Sequence, residues 1–331
     1  LAALETRPEP GAAVALATAL RKIRNRRRMT WVLVGLLVAY LGLCLSQFPF
    51  AYDEGYSVLE TAKTVAFYEK AYSSPAAGVL AGENDIYVKT ATEAARAAQI
   101  PRRVGEFVAR YHLEGKKALE VGAGRGYLQD QVTDYTGLDI SPTAGRYFHK
   151  PFVMGSATAM PFAENTFDAG WSIWVLEHVP NPEQALREIR RVSKDGAVLF
   201  LLPSWDAPPW AAQGYDVRPY SDFGPGGKIY KALLPLRWSN LFWLLTRPPI
   251  RALREGSTAA TGQISWLRYT RLVPNYKHYW EADSDAVNLL DRGEMALWFS
   301  SRGDECLNCR GGPLSPLPDN GLELVIRIHK R

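Results

Sequence analysis

The run Ala118-Leu-Glu-Val-Gly-Ala-Gly-Arg-Gly-Tyr-Leu128 puts an acid, Glu120, near the end of an apolar segment, with Gly122, Gly124 and Gly126 following at alternate positions. A chain that leaves a strand at Val121 and turns at once must bring its backbone against something. Glycine permits both the positive φ of such a turn and the close approach of a partner. The chemistry this spacing suits is the cradling of a nucleotide-like ligand on backbone groups.

The elements that must hold such a loop follow from the texture of the chain around it. Short apolar runs at 117–121, 135–140, 152–155, 167–174 and 197–202 read as buried strands. Helices are expected at 127–132 and 182–192 between them. Strands alternating with helices indicate a parallel sheet, which takes ligands at its carboxyl edge. Residues 295–299 and 322–328 regain strand character and would close that sheet as an antiparallel pair. Upstream, 49–114 reads as a lead-in of two or three helices, the last at 102–111 before Gly115. Residues 206–290 lose regularity, crowd prolines with aromatics, and include the apolar patch Leu233 to Leu245, which Pro235 and Arg237 interrupt. Such a patch suits a cap, a membrane-resting element or a docking surface. Some of the aromatic residues at 205–230 and 275–280 suit the lining of an acceptor pocket, although most suit ordinary packing.

With these strands placed, the chain resembles the class I S-adenosylmethionine-dependent methyltransferases of the type 11 branch, closely over about 115–205 and loosely in the closing strands. The resemblance implies a Rossmann-like α/β fold with a seven-stranded sheet and flanking helices, and S-adenosylmethionine as cofactor. Glu120, Gly122, Gly124 and Gly126 match the family's first motif. Asp139, in Gly137-Leu-Asp-Ile-Ser141, matches the acid that ends the second strand, where a carboxylate can accept both ribose hydroxyls. Gly155-Ser-Ala-Thr-Ala-Met-Pro-Phe162 matches the adenine-side loop and assigns Ser156 and Ala157 to the cofactor. Ser156 stands where the family carries an acid, and a neutral, shorter acceptor should weaken adenine selection by ~1 kcal/mol. His178, in Trp174-Val-Leu-Glu-His178-Val-Pro180, falls near the methyl-transfer centre and is the candidate general base. Methyl transfer is chiefly an alignment problem, so proximity carries more of the expectation than a base does. A dinucleotide-binding fold is disfavoured because one residue, Arg125, separates the last two glycines where that fingerprint has two.

The chain has 331 residues, 47% hydrophobic and 22% charged, which is a globular composition. Its net charge of +5 is largely local, in Arg21, Lys22, Arg24, Arg26, Arg27 and Arg28, so no nucleic-acid partner is expected. After this basic tail (1–28), residues 29–48 carry no charge and have the length to cross a hydrocarbon core of about 30 Å. The expectation is a single-pass transmembrane helix with the lipid bilayer as partner. The positive-inside rule puts its N-terminus in the cytoplasm and the rest outside. S-adenosylmethionine is made in the cytosol, and this tension motivates a second expectation. In it the chain is a structural or assembly subunit of a larger respiratory or photosynthetic membrane complex, in contact with other membrane-protein subunits, keeping the fold without turnover. The lone Cys306-x-x-Cys309 pair lacks the ligands of a structural zinc site, and no metal set is expected. It could form a disulfide or stay reduced.

Overall fold

The computed structural model describes residues 10–46, 58–73, 83–205, 207–237, 239–275, 283–309 and 323–330. The chain divides into two compact units, residues 1–48 and 49–331.

The first unit is the helix α1 (Pro10–Ser46). It starts well before the expected span and takes in the basic cluster. Residues 47 and 48 of that span lie outside the described residues. Its segment Thr18–Ser46 is long and apolar enough to cross a membrane, as a signal sequence also would be. Trp31, Leu36, Val38 and Leu45 are exposed on it.

In the second unit three helices precede the sheet: α2 (Val58–Ser73), α3 (Glu83–Ala97) and α4 (Ile100–Arg110). The helix α4 buries Ile100, Val104, Phe107 and Val108, the spacing of one helical face. Pro101 sits in its first turn, where a missing N–H is harmless. The strands β1 (Ala118–Val121), β2 (Tyr135–Asp139), β3 (Phe152–Met154), β4 (Phe167–Ile173) and β5 (Ser193–Leu202) then pair in parallel. All four residues of β1 are buried, because a central parallel strand is covered on both faces. Between β4 and β5 lies α5 (Pro182–Val192), with Glu183 in its first turn and Arg190 and Arg191 in its last, as the helix dipole favours. Its Leu186 and Ile189 join the core that Phe107 and Phe200 form edge to face, 5.4 Å apart.

Beyond β5 come α6 (Pro225–Arg237), α7 (Asn240–Thr261), a two-stranded antiparallel pair of β6 (Thr270–Arg271) with β7 (Asn288–Leu289), and α8 (Arg292–Ser300). The patch at 233–245 is thus a helix–break–helix. Ser239 accepts a hydrogen bond from Phe242 N and restarts the chain as α7. Leu234 and Trp243 turn inward, whereas Leu233, Leu236, Leu241, Leu244 and Leu245 stay exposed.

The sheet closes with β8 (Glu305–Cys306) and β9 (Leu324–Arg327), giving seven strands in the order β3-β2-β1-β4-β5-β9-β8 with β9 antiparallel to both neighbours.

Two expected elements differ. Residues 127–132 are turns and bends, because the chain needs that short stretch to return from the glycine loop to β2. Residues 295–299 lie within α8, not in a strand. Met295, Trp298 and Phe299 are fully buried at helical spacing, and Asp291 caps the helix by accepting from Glu294 N. The first closing strand is instead Glu305–Cys306. Cys306 and Cys309 are joined by a disulfide, with Cα atoms 5.5 Å apart.

Candidate functional site

The sheet order reverses at β1, whose neighbours β2 and β4 lie on opposite sides, and a cleft opens at that carboxyl edge. It is a cavity of about 290 Å³, at the lower end of the usual range for a small-molecule site. Glu120, Gly122, Gly124, Asp139, Ser156, Ala157 and His178 all line it.

The loop leaving β1 has the backbone that its glycines imply. Gly122, Gly124 and Gly126 sit at φ of 74°, 51° and 72°. A Cβ on Gly122 would lie 2.2 Å from Val175 Cγ2, so the backbone passes directly over the turn that follows β4. Gly126 plays a different part, because it is not in the cleft wall. Its missing side chain admits the Phe148 ring, which a Cβ would approach to 3.0 Å.

Asp139 sits at the end of β2 with both carboxylate oxygens turned to backbone donors. Its Oδ2 accepts from Gly124 N at 2.8 Å and its Oδ1 from Ser141 N at 2.9 Å. It ties the glycine loop to the strand beside it, and each oxygen keeps a further lone pair. Burial raises its pKa, partly offset by these N–H donors. Glu120 lies deeper, accepting a hydrogen bond from the Tyr135 hydroxyl. Burial pushes its carboxyl up to about 8, with the Tyr135 bond opposing. Its folded pKa therefore stands above the unfolded one, so its contribution to stability is complete below the unfolded pKa and is lost as pH rises through about 8. Denaturant melts between pH 5 and 8 should show the wild-type chain losing stability relative to Glu120→Gln, by up to about 1 kcal/mol per pH unit. Parallel curves for the two proteins would contradict this.

Ser156 faces the cleft with its Oγ engaged locally, 2.8 Å from Thr158 Oγ1 and accepting from Thr158 N at 3.2 Å. His178 begins the far wall. Its Nδ1 is 3.4 Å from Asp285 Oδ2 and its Nε2 is 3.7 Å from Glu177 Oε1. Each ring nitrogen has a carboxylate within 4 Å, and Nδ1 makes no hydrogen bond. Although burial opposes it, the charges of Asp285, Glu177 and Asp283 hold the imidazole pKa above its ordinary value.

Part of this cleft was not legible in the sequence. Tyr68 and Tyr72 from α2 and Tyr87 from α3 line it as well. Burial raises all three hydroxyl pKa values, helped by Asp285 at Tyr68 and by Asp139 at Tyr72, so the groups remain donors. Tyr68 donates to Asp285 Oδ2 at 2.8 Å. The end of α2 is pinned through its carbonyls, which helices otherwise leave unsatisfied. Glu69 O accepts from Thr143 Oγ1, and Tyr72 O accepts from Arg125 and Tyr147. The i, i+4 spacing of Tyr68 and Tyr72 signalled a shared helix face, but not what it would cover. Of the aromatic segment at 275–280, residues 276–280 lie outside the described residues.

Over part of its length the chain is similar to known methyltransferases. A family model described as a methyltransferase domain matches residues 119–201. An uncharacterized methyltransferase of Mycobacterium tuberculosis is 35% identical over 119 residues, covering 32% of this chain and 47% of that protein. A demethylmenaquinone methyltransferase of Renibacterium salmoninarum is 36% identical over 98 residues, covering 26% of this chain and 40% of that protein. The match therefore spans less than half the length of these curated relatives. Among solved structures, an S-adenosylmethionine-dependent methyltransferase from Thermotoga maritima is similar over 81% of this chain and all of that one, at 14% identity and a TM-score of 0.41.

Proposed function

We propose that this chain is an S-adenosylmethionine-dependent methyltransferase, held at a membrane by α1 and acting on a membrane-proximal small-molecule or lipid acceptor. The observation that carries the reading is the cleft edge built by Gly122, Gly124 and Asp139. There the positive-φ backbone of Gly122 and Gly124 lines the cleft, and a carboxylate with spare lone pairs sits one strand away. This fits a small nucleoside-bearing cofactor and leaves no second glycine spacing for a pyrophosphate.

S-adenosylmethionine supplies a methyl group on a sulfonium, whose C–S bond breaks with its electron pair passing to sulfur as the acceptor bonds to carbon. The chain's contribution is to bind and align. Gly122 and Gly124 offer close backbone approach, Asp139 accepts from ribose hydroxyls, and Ser156 and Ala157 bound the adenine side. The tyrosines of α2 and α3 exclude water from above. His178 shapes the acceptor end of the cleft, since its nitrogens are turned to Asp285 and Glu177. The exposed leucines of α6 and α7 give this unit an apolar surface, which supports a membrane-proximal acceptor. A cleft with Asp139 and Ser156 in its wall gives no support to the reading of a subunit kept for its surface alone.

Calorimetric titration of the full chain in detergent with S-adenosylmethionine should give saturable one-site binding, and absence of heat at millimolar cofactor would remove the proposal. The reading also requires the methyltransferase domain to face the cofactor's compartment. Val273→Cys, at an exposed position, should resist a membrane-impermeant thiol reagent on intact cells and react after lysis.

A further inference from the structure

Behind the acceptor wall, three side chains from two distant stretches of chain converge. Glu177 and His178 leave the turn after β4, and Asp283 comes from the approach to β7. One ligand-type atom from each lies within 4.8 Å of the others. Their surroundings are ordered as ligand supports would be. Ser204, just past β5, donates from its N to Glu177 Oε1 at 3.0 Å and from its Oγ to Asp283 Oδ2 at 2.6 Å. Asp285 stands 3.4 Å from His178 Nδ1 and is itself held by the Tyr68 hydroxyl at 2.8 Å. A carboxylate on the outer nitrogen of an imidazole orients the inner nitrogen as a metal ligand and raises its basicity.

A second observation points independently to a ligand. The Glu177 side chain is fully buried, and its Oε2 has no hydrogen-bond partner. A buried carboxylate oxygen without a donor is strongly unfavourable relative to a satisfied one, because it has lost its water and gained nothing in return. A cation bound by the Glu177 carboxylate would remove that penalty.

We infer that Glu177, Asp283 and Nε2 of His178 form a divalent-cation site, with Ser204 holding both carboxylates by hydrogen bonds and the Asp285 carboxylate standing beside the outer ring nitrogen. Two carboxylates and one imidazole suit a first-row divalent ion such as manganese or zinc, without discriminating strongly between them. The site would brace the turn after β4 against the segment entering β7, and so fix the wall from which His178 faces the cleft. It does not depend on the methyltransferase reading, because binding is measured without S-adenosylmethionine.

The full chain, freed of metal by chelator and dialysed, is titrated with Mn²⁺, and the free-ion electron paramagnetic resonance signal is followed. One equivalent should be taken up, with a rise in melting temperature. Glu177→Gln and Asp283→Asn should each weaken uptake by more than about tenfold. Asp285→Asn should weaken it by about 10- to 100-fold while leaving the stoichiometry unchanged. Should a variant fail to reproduce the wild-type circular dichroism, electron spin-echo modulation on the wild-type Mn²⁺ complex decides the matter. A directly bound imidazole nitrogen is expected there, and its absence overturns the assignment. No uptake by the wild type, or uptake unchanged in both folded carboxylate variants, overturns it equally.

Discussion

Gly122→Ala should abolish measurable S-adenosylmethionine binding and lower the melting temperature by several degrees. Two effects coincide at this position. The backbone has φ of 74°, where a residue with a Cβ is strained by about 1–2 kcal/mol. The new methyl would also stand 2.2 Å from Val175 Cγ2 and 2.6 Å from its Cγ1. Valine is stiff at χ1 and cannot swing both methyls away, so the turn after β4 must shift. That turn carries His178, so the damage spreads from the cofactor end of the cleft to the acceptor end. Gly122→Ala/Val175→Ala should regain part of the stability but not all, because it relieves the clash and leaves the φ strain. Gly256→Ala is the control. It lies within α7, where an added methyl would meet open space, and should be neutral or slightly stabilising. Wild-type affinity in Gly122→Ala would show that the loop is not the cradle.

Asp139→Ala should weaken S-adenosylmethionine binding by about 100-fold or more, corresponding to about 3 kcal/mol. The carboxylate has two separable duties. It satisfies Gly124 N and Ser141 N, and its remaining lone pairs are offered to the ribose. Alanine abandons both and leaves two backbone donors without partners, each unfavourable by about 1–3 kcal/mol where buried. Asparagine keeps one acceptor oxygen and should sit between alanine and wild type in both affinity and stability. Titration of the three proteins with S-adenosylmethionine and with adenosine separates the duties. If the ribose contact dominates, both ligands weaken equally. Equal affinity of Asp139→Ala and wild type would contradict any cofactor role for this residue.

Much of the sheet could be read in advance because its strands are buried on both faces and therefore appear as short apolar runs. The helix at 182–192 was legible down to its ends, marked by Pro182 at its start and paired arginines at its close. The failures were local. Tyr127 to Val132 has helix-compatible residues but too little chain to form a helix and still return to Tyr135. Met295 to Phe299 is apolar enough for a strand, and only the burial of Met295, Trp298 and Phe299 on one side, with Asp291 as cap, identifies the helix. Within the site, Asp139 could be placed beside the glycines because strand order follows from the alternating pattern. That its oxygens hold Gly124 and Ser141 could not be inferred.

By itself the sequence determined the glycine loop, the acid one strand over, the parallel core and an apolar helix following a basic cluster. Each of these is a local property: a period, a spacing or a residue type with one dominant physical use. The tertiary structure alone decided what covers the cleft and what stands behind it. Tyr68, Tyr72 and Tyr87 are scattered upstream of the motif and meet it only because α2 and α3 fold over the carboxyl edge. Glu177 and Asp283 lie far apart along the chain, so no spacing rule could pair them. They converge because the chain returns past β5 to lay Asp283 beside Ser204, which binds both acids.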